Sequence, residues 1–197
     1  MNVVLVGFMA SGKSSVGKRV ARRLGYSFLD TDHFIEAELG CTISEIFAIQ
    51  GEPYFRMLET RLLQNLPRLE NHVIATGGGI VTTPGNMELL KRIGVVVFLN
   101  AEREDIISRL ERDTRRPMVQ GGDLRERVTT LLDKRLPLYR EADVIVNTAG
   151  CSVNQTASEV LRQVARRLPE LPLHATSRGA RTRRGTRTDA AAPAESP

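Results

Sequence analysis

No stretch of the chain is apolar for long enough to cross a membrane. The longest run, Val95–Leu99, falls far short of the roughly 20 residues a span requires. No basic leader precedes the first apolar run either, because Met1 passes straight into Asn2-Val3-Val4-Leu5-Val6-Gly7. A cytoplasmic protein with no membrane contact is therefore expected. Cysteine is scarce too: Cys41 and Cys151 alone cannot build a disulfide framework or a four-cysteine zinc site. The three histidines, His33, His72 and His174, are scattered, which argues against a structural metal cluster.

Neither charge sign dominates the body of the chain. Of the net charge of +5 across 197 residues, +3 falls in residues 175–197, where Arg178, Arg181, Arg183, Arg184 and Arg187 face only Asp189 and Glu195. That stretch also has no Val, Ile, Leu, Met or aromatic residue. It cannot bury enough apolar surface to offset its ordering entropy, so residues 171–197 are expected to form a disordered, arginine-rich tail. The tail could touch a nucleic acid, but a solvated tail without a partner is the preferred reading, and a nucleic-acid partner is not expected. With 41% apolar residues, residues 1–170 suit one globular domain.

That body alternates short apolar runs with amphipathic stretches. Strands are expected at Val3–Val6, Ser27–Asp30, Val73–Thr76, Val95–Leu99 and Asp143–Val146. Helices are expected at Lys13–Leu24, His33–Leu39, Glu45–Gln50 behind a Ser44 cap, Glu52–Leu66, Pro84–Ile93, Glu102–Arg112, Leu124–Tyr139 and Ser152–Leu168. Strands separated by helices imply an α/β fold of three layers, a five-stranded parallel sheet covered on both faces. Ligands of such a sheet gather beyond the carboxyl ends of its strands. Residues 113–123, polar and carrying Pro117, Gly121 and Gly122, are expected to be a mobile lid.

Gly7-Phe8-Met9-Ala10-Ser11-Gly12-Lys13-Ser14 fits G-x-x-x-x-G-K-[ST] between a strand and a helix, the setting that motif needs. Its glycines let successive N–H groups turn inward on a β-phosphate, and the helix start favours the same anion. Lys13 can reach the β- and γ-phosphates, and Ser14 offers an oxygen to Mg²⁺. Ala10, Ser11, Gly12 and Ser15 complete this donor-binding set. Among strand ends, only Phe28-Leu29-Asp30-Thr31-Asp32 brings acids. One of Asp30 and Asp32 can serve a metal through water while the other faces an acceptor hydroxyl; alternatively Asp32 simply caps the following helix.

Further features exceed what a nucleotide needs. Arg56 stands three residues before Glu59, which can hold it in one rotamer. Gly77-Gly78-Gly79 follows a strand and offers bare N–H groups. Arg135 lies near the end of the helix that follows the polar loop. Two guanidinium forks, a glycine patch and an acid suit a small hydroxylated carboxylic acid. Arg115 or Arg116 on the expected lid could settle on the transferring phosphoryl group.

Taken in this order, Gly7–Ser14, Asp30-Thr31-Asp32, Gly51-Glu52-Pro53-Tyr54-Phe55-Arg56-Met57-Leu58-Glu59, Thr76-Gly77-Gly78-Gly79, Arg116-Pro117-Met118 and Arg135-Leu136-Pro137-Leu138-Tyr139 resemble the motifs of shikimate kinases, over roughly residues 2–168. The resemblance implies a P-loop kinase fold of the nucleoside-monophosphate-kinase type. It implies that ATP phosphorylates the 3-hydroxyl of shikimate on the route to chorismate and the aromatic amino acids. By the same resemblance Asp32 binds and polarises that hydroxyl, and Asp32, Lys13 and Arg116 form the catalytic set. Arg56, Gly77, Gly78, Gly79 and Arg135 hold shikimate, Ser14 and Asp30 serve Mg²⁺, Arg109 and Arg116 contact ATP, and Phe47 and Phe55 wall the acceptor pocket. A monomer is expected. Departures are mild: Ser14 stands where threonine is also common, Met118-Val119 replaces paired leucines, and Met87 follows Asn86 where arginine is usual. The rival readings are a gluconate or nucleoside monophosphate kinase on the same fold, a nucleotide-binding regulatory module without turnover, and a nucleic-acid binder acting through the tail.

Overall fold

A computed structural model describes residues 1–112 and 123–167. Five strands, β1 Val3–Val6, β2 Ser27–Asp30, β3 His72–Ala75, β4 Val95–Asn100 and β5 Val144–Asn147, pair in the order β2-β3-β1-β4-β5. Every pairing is parallel, and β1 at the centre sets Leu5 beside both Ala75 and Val97. The helices are α1 Lys13–Leu24, α2 Thr31–Leu39, α3 Ile43–Asn65, α4 Asn86–Ile93, α5 Arg103–Glu111, α6 Leu124–Tyr139 and α7 Val153–Arg167.

Side chains alternate across the sheet, so each strand feeds two cores. Val4, Val6, Val96 and Phe98 join the core under α3 to α6. Val3, Leu5, Val97 and Leu99 join the one under α1 and α7. A strand buried on both faces cannot carry polar residues, which is why β1 reads as an unbroken apolar run. The expected three-layer α/β/α arrangement is thus the observed one.

Local chemistry moves several boundaries. The second helix begins at Thr31, and its cap is Asp30 rather than Asp32: the Asp30 carboxylate accepts from the Asp32 N–H at 3.2 Å. Asp32 is thereby released from capping and sits in the first helical turn. The third helix is capped by Thr42, not Ser44, because Thr42 and Glu45 satisfy each other's backbone N–H groups in a capping box. Two expected helices, Glu45–Gln50 and Glu52–Leu66, run on as one α3 with a kink at Gly51, whose φ of 81° breaks the helical path. One-turn 3-10 helices at Leu66–Arg68 and Ile80–Thr82 have no expected counterpart. The expected lid at 113–123 lies outside the described residues except for Asp123, which caps α6. The expected tail at 171–197 lies wholly outside them. No helix among the described residues is long and apolar enough to cross a membrane.

The start of the chain is tied in by Asn2, whose amide donates to Leu69 O at 2.7 Å and Ile93 O at 3.0 Å while its oxygen accepts from His72 N. Gly94 lies flat against this tie. A methyl group there would overlap the Asn2 carbonyl, lying 2.6 Å from its carbon. Both atoms are backbone and neither can swing aside. Gly94→Ala is therefore expected to cost about 3 kcal/mol, the upper range for overpacking. Thermal unfolding should show a Tm lowered by roughly 6–12 °C.

Candidate active site

The carboxyl ends of β1, β2 and β3 converge on two adjoining cavities. The first begins where β1 ends. Gly7, with φ of 149°, and Gly12, with φ of 92°, turn the chain back on itself before α1. Ala10 also takes a left-handed φ of 59°, so the loop curls more tightly than glycine placement alone requires. Lys13 is buried, and its Nζ donates to Gly7 O at 2.7 Å and Phe8 O at 2.8 Å. No side chain caps the start of α1, which leaves its first N–H groups for an anion. Ser11 is buried, and its hydroxyl has no partner among the described residues, although it lines this cavity. A buried hydroxyl without a partner is costly, and a phosphate oxygen would satisfy it.

This donor cavity encloses about 670 Å³. Ala10, Ser11, Gly12, Lys13, Ser14, Ser15 and Arg109 all line it. Arg109 donates to Ala10 O at 3.0 Å and lies 3.7 Å from Asp105. Ser14 Oγ donates to Asp30 Oδ2 at 2.6 Å. This pair of hard oxygens opening on the phosphate cradle is the chemistry that Mg²⁺ selects, with phosphate and water to complete its shell. The described residues contain no group of three or more His, Cys, Asp or Glu that could hold a metal by themselves.

The second cavity, of about 300 Å³, shares Met9, Ser14, Asp30, Asp32 and Gly78 with the first. Arg56, Gly77, Gly79 and Arg135 line it, with Phe47 and Phe55 packed edge to face at 5.0 Å. Arg56 Nη1 donates to Glu59 Oε2 at 2.6 Å, and its Nη2 donates to Glu52 Oε1 at 2.7 Å. Its guanidinium lies against the Gly79 α-carbon so closely that a side chain at 79 would have to push it aside. Arg135 is buried and stands over the Phe8 ring at 5.7 Å. Gly77 donates its N–H to Thr31 Oγ1 at 3.0 Å, which joins the end of β3 to the start of α2.

Gly77 also explains how two carboxylates come together. A methyl group at 77 would meet Asp32 Oδ1 and Glu59 Oε1, each at 2.6 Å, so both acids close around a bare α-carbon. Glu59 is fully buried. Burial pushes its carboxyl up to about 7, and Asp32 adds to that rise, while Arg56 pulls the other way. Arg56 itself is held above its ordinary value: burial opposes its charge, but Glu59 and Glu52 outweigh that.

Of the residues singled out from the sequence, all but Arg116 lie around these two cavities; Arg116 falls outside the described residues. Sequence reasoning missed Thr148, Cys151, Ser152, Val153 and Thr156, which form the far wall of the donor cavity. A turn after the last strand carries no motif. The one available signal was its place beyond the carboxyl end of β5.

The shikimate kinase family model matches residues 9–165. A shikimate kinase of Thermodesulfovibrio yellowstonii is 42% identical over 165 residues, covering 84% of this chain and 95% of that protein. One of Burkholderia lata is 45% identical over 164 residues, covering 83% and 89%. Among solved structures, the shikimate kinase of Acinetobacter baumannii in complex with shikimate superposes with a TM-score of 0.81 at 39% identity, covering 85% of this chain and 94% of that one. A gluconokinase of Sinorhizobium meliloti, at 20% identity and a TM-score of 0.54, shares the fold alone.

Proposed function

The chain belongs to the shikimate kinase family, and from that premise we propose how its own residues move the phosphoryl group. The reaction is ATP-dependent phosphorylation of shikimate in aromatic amino acid biosynthesis. The acceptor atom in this reading is the 3-hydroxyl. One observation carries the assignment of roles: two guanidinium groups and the Asp32 carboxylate line a small cavity that shares a wall with the phosphate cradle.

Size and lining support shikimate over the rivals. A cavity of about 300 Å³ is at the small end for ligand sites, which run from about 300 to 1,000 Å³. It suits one ring better than a nucleoside monophosphate. The edge-to-face pair Phe47 and Phe55 offers apolar surface to a ring, where an open polyol such as gluconate would want hydrogen bonds. Arg56 and Arg135 supply forks for the carboxylate, and the N–H groups of the triple glycine supply donors at close range.

Transfer is in line and direct, without a covalent enzyme intermediate, because such a reaction asks for positioning and charge neutralisation. The loop from Ala10 to Ser15 grips the polyphosphate, and Lys13 moves from its own loop carbonyls towards the β- and γ-oxygens. Asp32 accepts a hydrogen bond from the 3-hydroxyl, aims its lone pair and takes the proton as the new P–O bond forms, while the bond from the γ-phosphorus to the bridging oxygen breaks and ADP leaves. Arg109 and Arg116 are assigned to ATP. Ser14 and, through water, Asp30 would hold Mg²⁺; the chemistry Mg²⁺ supplies when bound is neutralisation of phosphate charge. Every role falls within one chain, so a monomer suffices, and ATP as donor fits a cytoplasmic location.

Arg56→Lys tests the fork. Lysine keeps the charge but cannot span two carboxylate oxygens or hold Glu59 and Glu52 together. The KM for shikimate should rise by about tenfold or more, as expected for a charge-assisted hydrogen bond worth roughly 1.5–3 kcal/mol. The KM for ATP should barely move. The function as a whole is tested by a coupled ADP assay that offers shikimate, gluconate and nucleoside monophosphates in parallel. Turnover of shikimate alone supports it, and preference for either rival overturns it.

A further inference from the structure

We propose that Tyr139 is a positioning residue for the acceptor, its hydroxyl fixing the direction of the Gly78–Gly79 peptide. The role rests on the kinase reading above and extends it to a residue outside the substrate cavity.

Tyr139 ends α6 and is fully buried. Its ring stacks on Phe98 of β4, with centroids 5.0 Å apart and planes inclined by 18°, so the phenol cannot wander. Its hydroxyl donates to Gly78 O. One helical turn earlier lies the buried Arg135, whose charge acts on the same phenol. A hydroxyl has one proton and two lone pairs. The proton is committed to Gly78. Burial pushes the phenol up to about 12, so it stays a donor throughout the neutral range.

Gly78 is where such a constraint counts, because it lines both cavities. It also lies hard against the phosphate loop, where a methyl group would sit 3.0 Å from Met9 N. The described chain contains no cis peptide, so the carbonyl of Gly78 and the N–H of Gly79 point in opposite directions. A carbonyl drawn inward to Tyr139 turns that N–H outward, towards the cavity that Gly79 lines. Without the hydroxyl, the Gly78 carbonyl loses this donor, and a glycine-glycine peptide has no side chain of its own to limit its rotation.

The test compares Tyr139→Phe with Phe98→Leu, which disturbs the same stack but leaves the hydroxyl in place. Steady-state kinetics with both substrates and thermal unfolding are measured for each. Tyr139→Phe should raise the shikimate KM by about tenfold, the scale of one lost hydrogen bond in a positioned site, with the ATP KM little changed. Phe98→Leu should lower the Tm while leaving the shikimate KM near the wild-type value. An unchanged shikimate KM in Tyr139→Phe overturns the role, and so does an equal rise in both variants, which would mark a packing effect. If the wild-type chain does not turn over shikimate, the kinase reading fails and the role falls with it. Wild-type turnover with an unaltered KM in Tyr139→Phe removes the Tyr139 role alone.

Discussion

Asp32→Asn is expected to abolish most turnover while leaving a folded protein that still binds ATP. The substitution keeps the size of the side chain and removes its charge and basicity. A positioned general base contributes about 10²- to 10⁴-fold, so kcat should fall by roughly a thousandfold. Stability should change little. The cap of α2 is Asp30, so no cap is lost. What goes is a favourable charge in the first helical turn, worth about 0.3–1 kcal/mol. The neighbouring Glu59 should then ionise more readily, because Asp32 is one cause of its raised pKa. Stopped or steady-state assays with saturating ATP, alongside equilibrium nucleotide binding, separate the two effects. Turnover near the wild-type level would refute the role of Asp32.

Lys13→Met should be at least as damaging, but on the donor side. The ammonium group closes the loop on itself through Gly7 and Phe8 before any nucleotide arrives. Methionine has a similar reach and neither charge nor donor. Two carbonyls lose their partner, and in the proposed mechanism the polyphosphate loses a cation. Removing a single donor aimed at developing charge costs about 10²- to 10³-fold, and here a cation and a loop clasp go together. We expect kcat/KM for ATP to fall by about a thousandfold or more on that scale. A variant that keeps kcat/KM for ATP close to wild type would show that the loop amides suffice. Shikimate binding measured without nucleotide should change much less, since Arg56, Gly79 and Arg135 line the second cavity from other elements.

Much of this was legible before any coordinates. Apolar runs such as Val3–Val6 announce buried parallel strands, because only a strand covered on both faces can afford four apolar residues in a row. The phosphate loop and the Arg56–Glu59 spacing each encode local geometry, and the structure shows the curled loop and the Arg56–Glu59 pair. What escaped depends on choices between neighbours or on distant contacts. Asp30 and Asp32 can both cap a helix; Asp30 does so because it stands at the last strand position, where its backbone is still extended. Thr42 displaces Ser44 because Glu45 lies three residues after it and completes a reciprocal pair. The wall from Thr148 to Thr156 offered no signal beyond its place after β5. It becomes a cavity lining only because β5 lies next to β4, a pairing across more than forty residues.

The partition between the two chambers is, at Gly78, a single residue with no side chain. Two ligands seated on either side would therefore lie almost end to end. One compound joining a polyphosphate mimic to a carboxylated ring would need only a short tether to occupy both, and it would escape much of the entropic cost of capturing two separate molecules.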